Sequence, residues 1–309
     1  MQLSLFDLHC DTASEMLATG QCLRDNRLAV SLKKAEVFTH YVQVMAYWTD
    51  RRLDDEQGWQ RFFEILENLR NDPAVLDGSA VISTACPPHE HPPTLILAVE
   101  DARIVAGKLE RIDLLYQNGV RILTPLWYGE TCIGGSHNTS VGLTDFGKAA
   151  LRRAAEFGML LDISHASYAS ASEIFELSEE LHRPVIASHS NAYDICPVSR
   201  NLRREQIDAV LRSGGVIGIN LYQGFLKENA QACAADTLTH IEYFLEAGAE
   251  NALCLGCDMD GCTLPEDIPD VASLPHLAEL MLAHNYSETL IRALFYDNAY
   301  RFASIHLCG

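Results

Sequence analysis

Histidines and carboxylates recur in this 309-residue chain at one kind of place, directly after apolar, strand-like runs. The run opening at Leu3 ends in His9-Cys10-Asp11, and later runs end in Glu100, His165, His189 and Asp258. Side chains alternate faces along a strand, so His9 and Asp11, two apart, are expected to project to the same side. Imidazole nitrogen and carboxylate oxygen are the donors a divalent metal such as zinc takes from a protein. A single strand-end His or Asp is usually a helix cap or a partner of a backbone carbonyl. Five such endings in one chain make independent explanations of that kind improbable. Three histidines with several carboxylates exceed what one tetrahedral zinc needs, and suit two metals roughly 3.5–4 Å apart sharing a carboxylate and a hydroxide.

Such residues need a scaffold that gathers strand ends. Apolar runs near residues 3–9, 40–48, 94–99, 120–126, 159–164, 184–188, 215–220 and 252–257 alternate with helical patterns. Helices are expected over 54–70, 104–117, 147–157, 168–181, 204–212 and 238–247, with a short extra strand at 81–84 and further helices at 274–284 and 287–303. Asn118-Gly119 and Gly158 stop helices, and Thr144 caps one. Eight strands alternating with helices predict an α/β TIM (β/α)8 barrel with extra C-terminal helices, whose active site lies at the C-terminal ends of the strands. No linker or charge block divides the chain, so residues 1–309 read as one domain.

The composition, 48% hydrophobic and 21% charged, is that of an ordinary globular protein. A net charge of -19 argues against nucleic acid or an anionic membrane as partner. Ten cysteines in so long a chain read as reduced thiols, and Cys254-x-x-Cys257 lies within a strand run, without the second pair a zinc ribbon would need. No secretory leader or membrane-length apolar run is evident, which predicts a cytoplasmic protein. Apolar residues on the C-terminal helices suit either a homodimer surface or core packing.

The chain resembles the membrane (renal) dipeptidase family of metal-dependent amidohydrolases over nearly its whole length. The motifs that carry the resemblance are Asp7-Leu8-His9-Cys10-Asp11, Glu100, Gly142-Leu143-Thr144-Asp145-Phe146-Gly147 and Asp162-Ile163-Ser164-His165-Ala166-Ser167. To these are added Pro184-Val185-Ile186-Ala187-Ser188-His189-Ser190-Asn191-Ala192, Ser199-Arg200-Asn201-Leu202 and Gly256-Cys257-Asp258-Met259-Asp260-Gly261. The resemblance implies two Zn2+ ions, one held by His9 and Asp11, the other by His165 and His189, with Glu100 bridging. It further implies that Asp258 acts as general base then acid toward a hydroxide activated by the metals, with Asp260 as the fallback proton carrier. Arg200 would hold the substrate's terminal carboxylate, for which a guanidinium is well shaped. The implied substrate is a dipeptide with an L- or D-configured C-terminal residue.

Two departures stand out. Trp127 falls where many members carry a histidine that stabilises the oxyanion, and an indole N–H donates one hydrogen bond but carries no charge. His137, later in the same loop, could substitute, although a loop histidine is expected to be solvated. Asp101-Ala102 follow Glu100 where many members have glycine, which would crowd the pocket. Two other readings remain open: a binuclear amidohydrolase acting on a β-lactam, an N-acyl amino acid or a cyclic amide, and a barrel that binds metal without catalysis. The complete ligand set argues against the last.

Overall fold

The computed structural model describes residues 1–228 and 231–307. Among the described residues nine strands form: β1 (Leu5–Cys10), β2 (Tyr41–Trp48), β3 (Val81–Ser83), β4 (Thr94–Glu100), β5 (Val120–Thr124), β6 (Leu160–Asp162), β7 (Val185–Ile186), β8 (Ile217–Ile219) and β9 (Leu253–Leu255). All pair in parallel, in the order β7-β6-β5-β4-β2-β1-β9-β8. Ala187 bridges Ile217 between the two ends of that order, with Ala187 N donating to Val216 O at 3.0 Å and Gly218 N to Ala187 O at 2.8 Å. Eight strands therefore close into the barrel expected from the sequence. The ninth, β3, pairs with Thr94–Ile96 on the edge of β4 whose later residues pair with β5.

Alternation along the strands sorts the apolar residues into two layers. Leu5, Met45, Tyr47, Leu97 and Val99 pack outward among the helices, whereas Phe6, Leu8, Val42, Val44, Ile96 and Ala98 fill the barrel interior. Tyr296, Phe302 and Leu307 of the last helices join the interior cluster, whereas Leu282 and Ile305 stay exposed. Cys254 lies with the interior cluster and Cys257 with the outer one, so they share no face as a metal or redox pair would. The described cysteines are free thiols. No helix among the described residues is long and apolar enough to cross a membrane.

The helices at Tyr168–Leu181 and Arg204–Arg212 match the expected bounds, and Asp54 closes a capping box on Asp55–Arg70. Three expectations need correction. The helix anticipated from Ile104 is a 3-10 turn at Ala102–Val105 followed by a helix at Glu110–Gln117. Ala106 and Gly107 between them adopt positive φ, which ends a right-handed helix. The helix expected from Leu238 begins at Ala234. The last segment is broken by a π turn at Ala293–Asp297.

Candidate active site

Each candidate ligand reaches the barrel mouth by a different local device. Leu8 faces the interior, so strict alternation would turn His9 outward. A register shift between Asp7 and Cys10 against β2 re-aims it. Asp11 is the N-cap of the helix Thr12–Thr19, yet its side chain makes no capping bond. Glu100 is the last residue of β4, with its side chain on the interior face shared by Ile96 and Ala98. His165 and Asp258 lie three residues beyond β6 and β9 in left-handed conformations, φ 67 and 60, uncommon for residues other than glycine.

Two buried aspartates that sequence reading left without a role latch these turns. Asp162 accepts from Thr124 Oγ1 (2.7 Å), Ser164 N (2.9 Å), Ser188 N (2.9 Å) and Ser188 Oγ, tying together the turns that carry His165 and His189. Asp7 accepts from Cys257 N at 2.8 Å and His9 N at 3.3 Å, tying β1 to the turn that carries Asp258. Asn220 completes the frame by donating to Asp258 Oδ2 at 3.0 Å. The only sequence signal for these residues was their place in the quoted motifs and at a strand end.

The five predicted ligands converge. His9 Nε2 lies 3.6 Å from Asp11 Oδ2 and 3.4 Å from Glu100 Oε2, while Glu100 Oε1 lies 2.9 Å from His165 Nε2 and 3.3 Å from His189 Nε2. One carboxylate oxygen thus faces each half of the cluster. Asp258 Oδ1 is 4.0 Å from His9 Nε2. A tetrahedral ion with bonds of about 2.0–2.1 Å holds its donors roughly 3.3 Å apart. Among these residues His9 Nε2 and Asp11 Oδ1 are buried with no hydrogen-bond partner, as atoms reserved for an ion would be.

The electrostatics ask for positive charge. Burial raises Asp11 to about 7 and Asp258 to about 6, in each case reinforced by the charge of Glu100. Burial opposes a charge on His9, but Glu100 and Asp11 push it well above the ordinary imidazole value. Burial and the nearby Arg200 guanidinium lower His165 to about 4. Carboxylates crowded in low dielectric, with His165 and His189 held neutral and His9 holding its proton against Glu100 and Asp11, form a donor set that fits divalent metal.

Above the cluster opens a cavity of about 660 Å³ lined by Asp11, Glu15, Trp48, Glu100, Trp127, Tyr128, His137, His165, Tyr222, Phe225 and Asp258, among others. Trp127 stacks edge-on against Trp48 at 5.2 Å. His137 is corrected from a solvated loop residue to a cavity wall. Ser136 bridges Ala166, His137 N donates to His165 O at 2.7 Å, and the ring meets Ser199 Oγ at 3.0 Å. The loop lies flat because Gly134 and Gly135 run against the 141–143 backbone, where a Cβ on Gly135 would sit 2.4 Å from Val141 O. Arg200 is buried beside the cluster, donating Nη1 to Ser190 Oγ (2.8 Å) and Nη2 to His189 O (2.9 Å), with Nε unpartnered. It lines the adjoining hollow with His137 and not the main cavity.

Two further expectations change. Asp260, the expected fallback proton carrier, lines the cavity but is already engaged, accepting from Thr12 Oγ1 and Ala29 N, each at 2.6 Å. Asp101 does not crowd the pocket: at φ 72 its carboxylate turns to Arg103 Nε, 3.1 Å away. Glycine is the easiest residue to place in that conformation.

A closed parallel barrel whose strand ends gather histidines and carboxylates around Glu100 defines a metal-dependent hydrolase of the TIM-barrel class. The sequence profile of the membrane dipeptidase family, peptidase family M19, matches residues 1–305, and the chain belongs to that family. An uncharacterized Klebsiella pneumoniae protein encoded in the pqqA 5' region is 31% identical over 216 residues, 66% of this chain and 79% of that one. Among solved structures, the M19 metallopeptidase dipeptidase AC superposes with a TM-score of 0.92 at 24% identity, covering 99% of both chains. A Rhodobacter sphaeroides metallopeptidase liganded with a phosphinate mimic of L-Ala-D-Ala gives 0.88 at 23% identity, covering 99% of this chain and 100% of that one.

Proposed function

We propose that this protein hydrolyses the peptide bond of dipeptides at a centre of two zinc ions. The observation that carries the reading is the split of Glu100, with Oε2 facing His9 and Asp11 and Oε1 facing His165 and His189, at the floor of a cavity sized for a small substrate. His9 and Asp11 would hold one ion, His165 and His189 the other, and Glu100 both. Ions there supply Lewis-acid activation of a water molecule and of the scissile carbonyl.

The remaining chemistry belongs to side chains. Asp258, oriented by Asn220, accepts the proton from the attacking water and returns it to the leaving amine. Arg200, partly satisfied by His189 O and Ser190 Oγ and lining the hollow beside the cavity, would meet the terminal carboxylate with N–H groups not spent on those bonds. That requirement favours dipeptides over longer peptides and over neutral cyclic amides. Trp127 supplies an apolar wall and one indole N–H to the bound substrate. The free thiols support a reducing, cytoplasmic setting.

The test is a library of dipeptides with L- and D-configured C-terminal residues, assayed with and without a chelator, alongside metal content per chain. Chelator-sensitive cleavage of some dipeptides and two metals per chain are expected. Cleavage that survives complete metal removal, or none with any dipeptide, overturns the reading.

A further inference from the structure

Glu15 is a carboxylate on the cavity wall that the chemistry above does not use. It sits in the first turn of the helix Thr12–Thr19, four residues beyond Asp11. Two hydrogen bonds fix that turn: Ser14 Oγ donates to Trp48 O at 3.1 Å, and Trp48 N donates to Ser14 Oγ at 3.2 Å. Glu15 and Trp48 consequently line the same side of the cavity, and both also line the hollow adjoining it.

Among the described residues the carboxylate has no counter-ion. Arg52 and Arg61, which share the adjoining hollow, pair with Asp50 and Glu64 instead. Partial burial and the charge of Asp260 raise Glu15 above the usual glutamate value, so a charge of its own sign acts on it. A cation entering here would relieve that repulsion. Aromatic faces stand beside it, Trp48 with Trp127 edge-on, and Tyr128 at the rim already stacks under Arg51 at 4.7 Å. Carboxylate and indole together are the surroundings that suit an ammonium or guanidinium.

The position decides which cation. Four residues of helix advance about 6 Å along its axis, so Glu15 stands a full turn beyond the ligand Asp11. The α-ammonium of a dipeptide is only two bonds from the scissile carbonyl carbon and stays near the metal cluster. A side chain the length of lysine or arginine reaches a turn further out. We propose that Glu15, backed by Trp48 and Trp127, selects dipeptides whose N-terminal residue carries a cationic side chain. This rests on the dipeptidase reading and names its substrate class.

The test compares arginyl-alanine with citrullyl-alanine, its neutral isostere, on the metal-loaded enzyme. A half-desolvated ion pair with a cation–π contact predicts a preference for arginyl-alanine of about ten-fold in kcat/KM, carried mainly by KM and reduced by added salt. Glu15→Gln should bring the ratio to near one, and Glu15→Lys should turn the preference toward glutamyl-alanine. Calorimetric affinities of the metal-loaded Asp258→Asn protein for the same pair should move in parallel. A wild-type ratio within two-fold of one, or a preference that Glu15→Gln leaves intact, overturns the inference while leaving a dipeptidase. Absence of cleavage of every dipeptide overturns both.

Discussion

Gly261 is the most sensitive test of how this site is held. A Cβ built there falls 2.0 Å from Asp11 Oδ2 and 2.7 Å from Asp258 Oδ1. Real Cβ contacts essentially never fall below 3.0 Å, so in Gly261→Ala the Asp11 carboxylate must retreat by at least about 1 Å, and Asp258 by a few tenths. Both are far ends of side chains and Gly261 is exposed, so the fold can absorb the shift and the site cannot. Misplacing a reacting or ligating group by about 1 Å costs on the order of 100-fold in rate. The variant should melt within a few degrees of wild type and lose metal from the half of the centre that Asp11 serves. Its kcat/KM should fall about 100-fold or more. Metal analysis, circular-dichroism melts and dipeptide kinetics on one preparation decide the matter. Full metal content with wild-type turnover would mean that these two carboxylates do not need their present positions, and the assignment of Asp11 as ligand and Asp258 as proton carrier would be lost.

His9→Ala or Asp11→Ala should leave a folded barrel short of one metal and nearly inactive, by metal analysis and kinetics; full activity in either variant refutes the ligand assignment. Asp258→Asn keeps the shape and the bonding to Asn220, so both metals should remain while kcat falls roughly 10²–10⁴-fold. Arg200→Ala should raise KM for free dipeptides far more than for their C-terminal amides, and equal effects on both would remove Arg200 from carboxylate recognition. Asp162→Ala strips partners from four buried donors at once, and a destabilisation on the order of 3–5 kcal/mol is expected in chemical denaturation, with loss of metal from the His165–His189 half. Wild-type stability and metal content would show that the latch is dispensable.

What the sequence revealed and what it hid divide along a physical line. Strands and helices announce themselves by local periodicity, and the strand-end residues stand out because buried apolar runs rarely stop at His, Asp and Glu together. That was enough for the barrel and for the five ligand candidates. The means of aiming them is non-local. His9 faces inward through a register shift defined only against β2. Asp162 and Asn220 act on partners tens of residues away, and Gly261 matters for atoms of Asp11, 250 positions earlier. His137 reads as a solvated loop residue because nothing local shows that its loop lies down on the turn of His165. The residues easiest to find were those that do chemistry, and the hardest were those that hold them still. The two kinds of variant should differ accordingly: loss of a ligand removes a metal from an intact barrel, whereas loss of a latch lowers stability and metal affinity together.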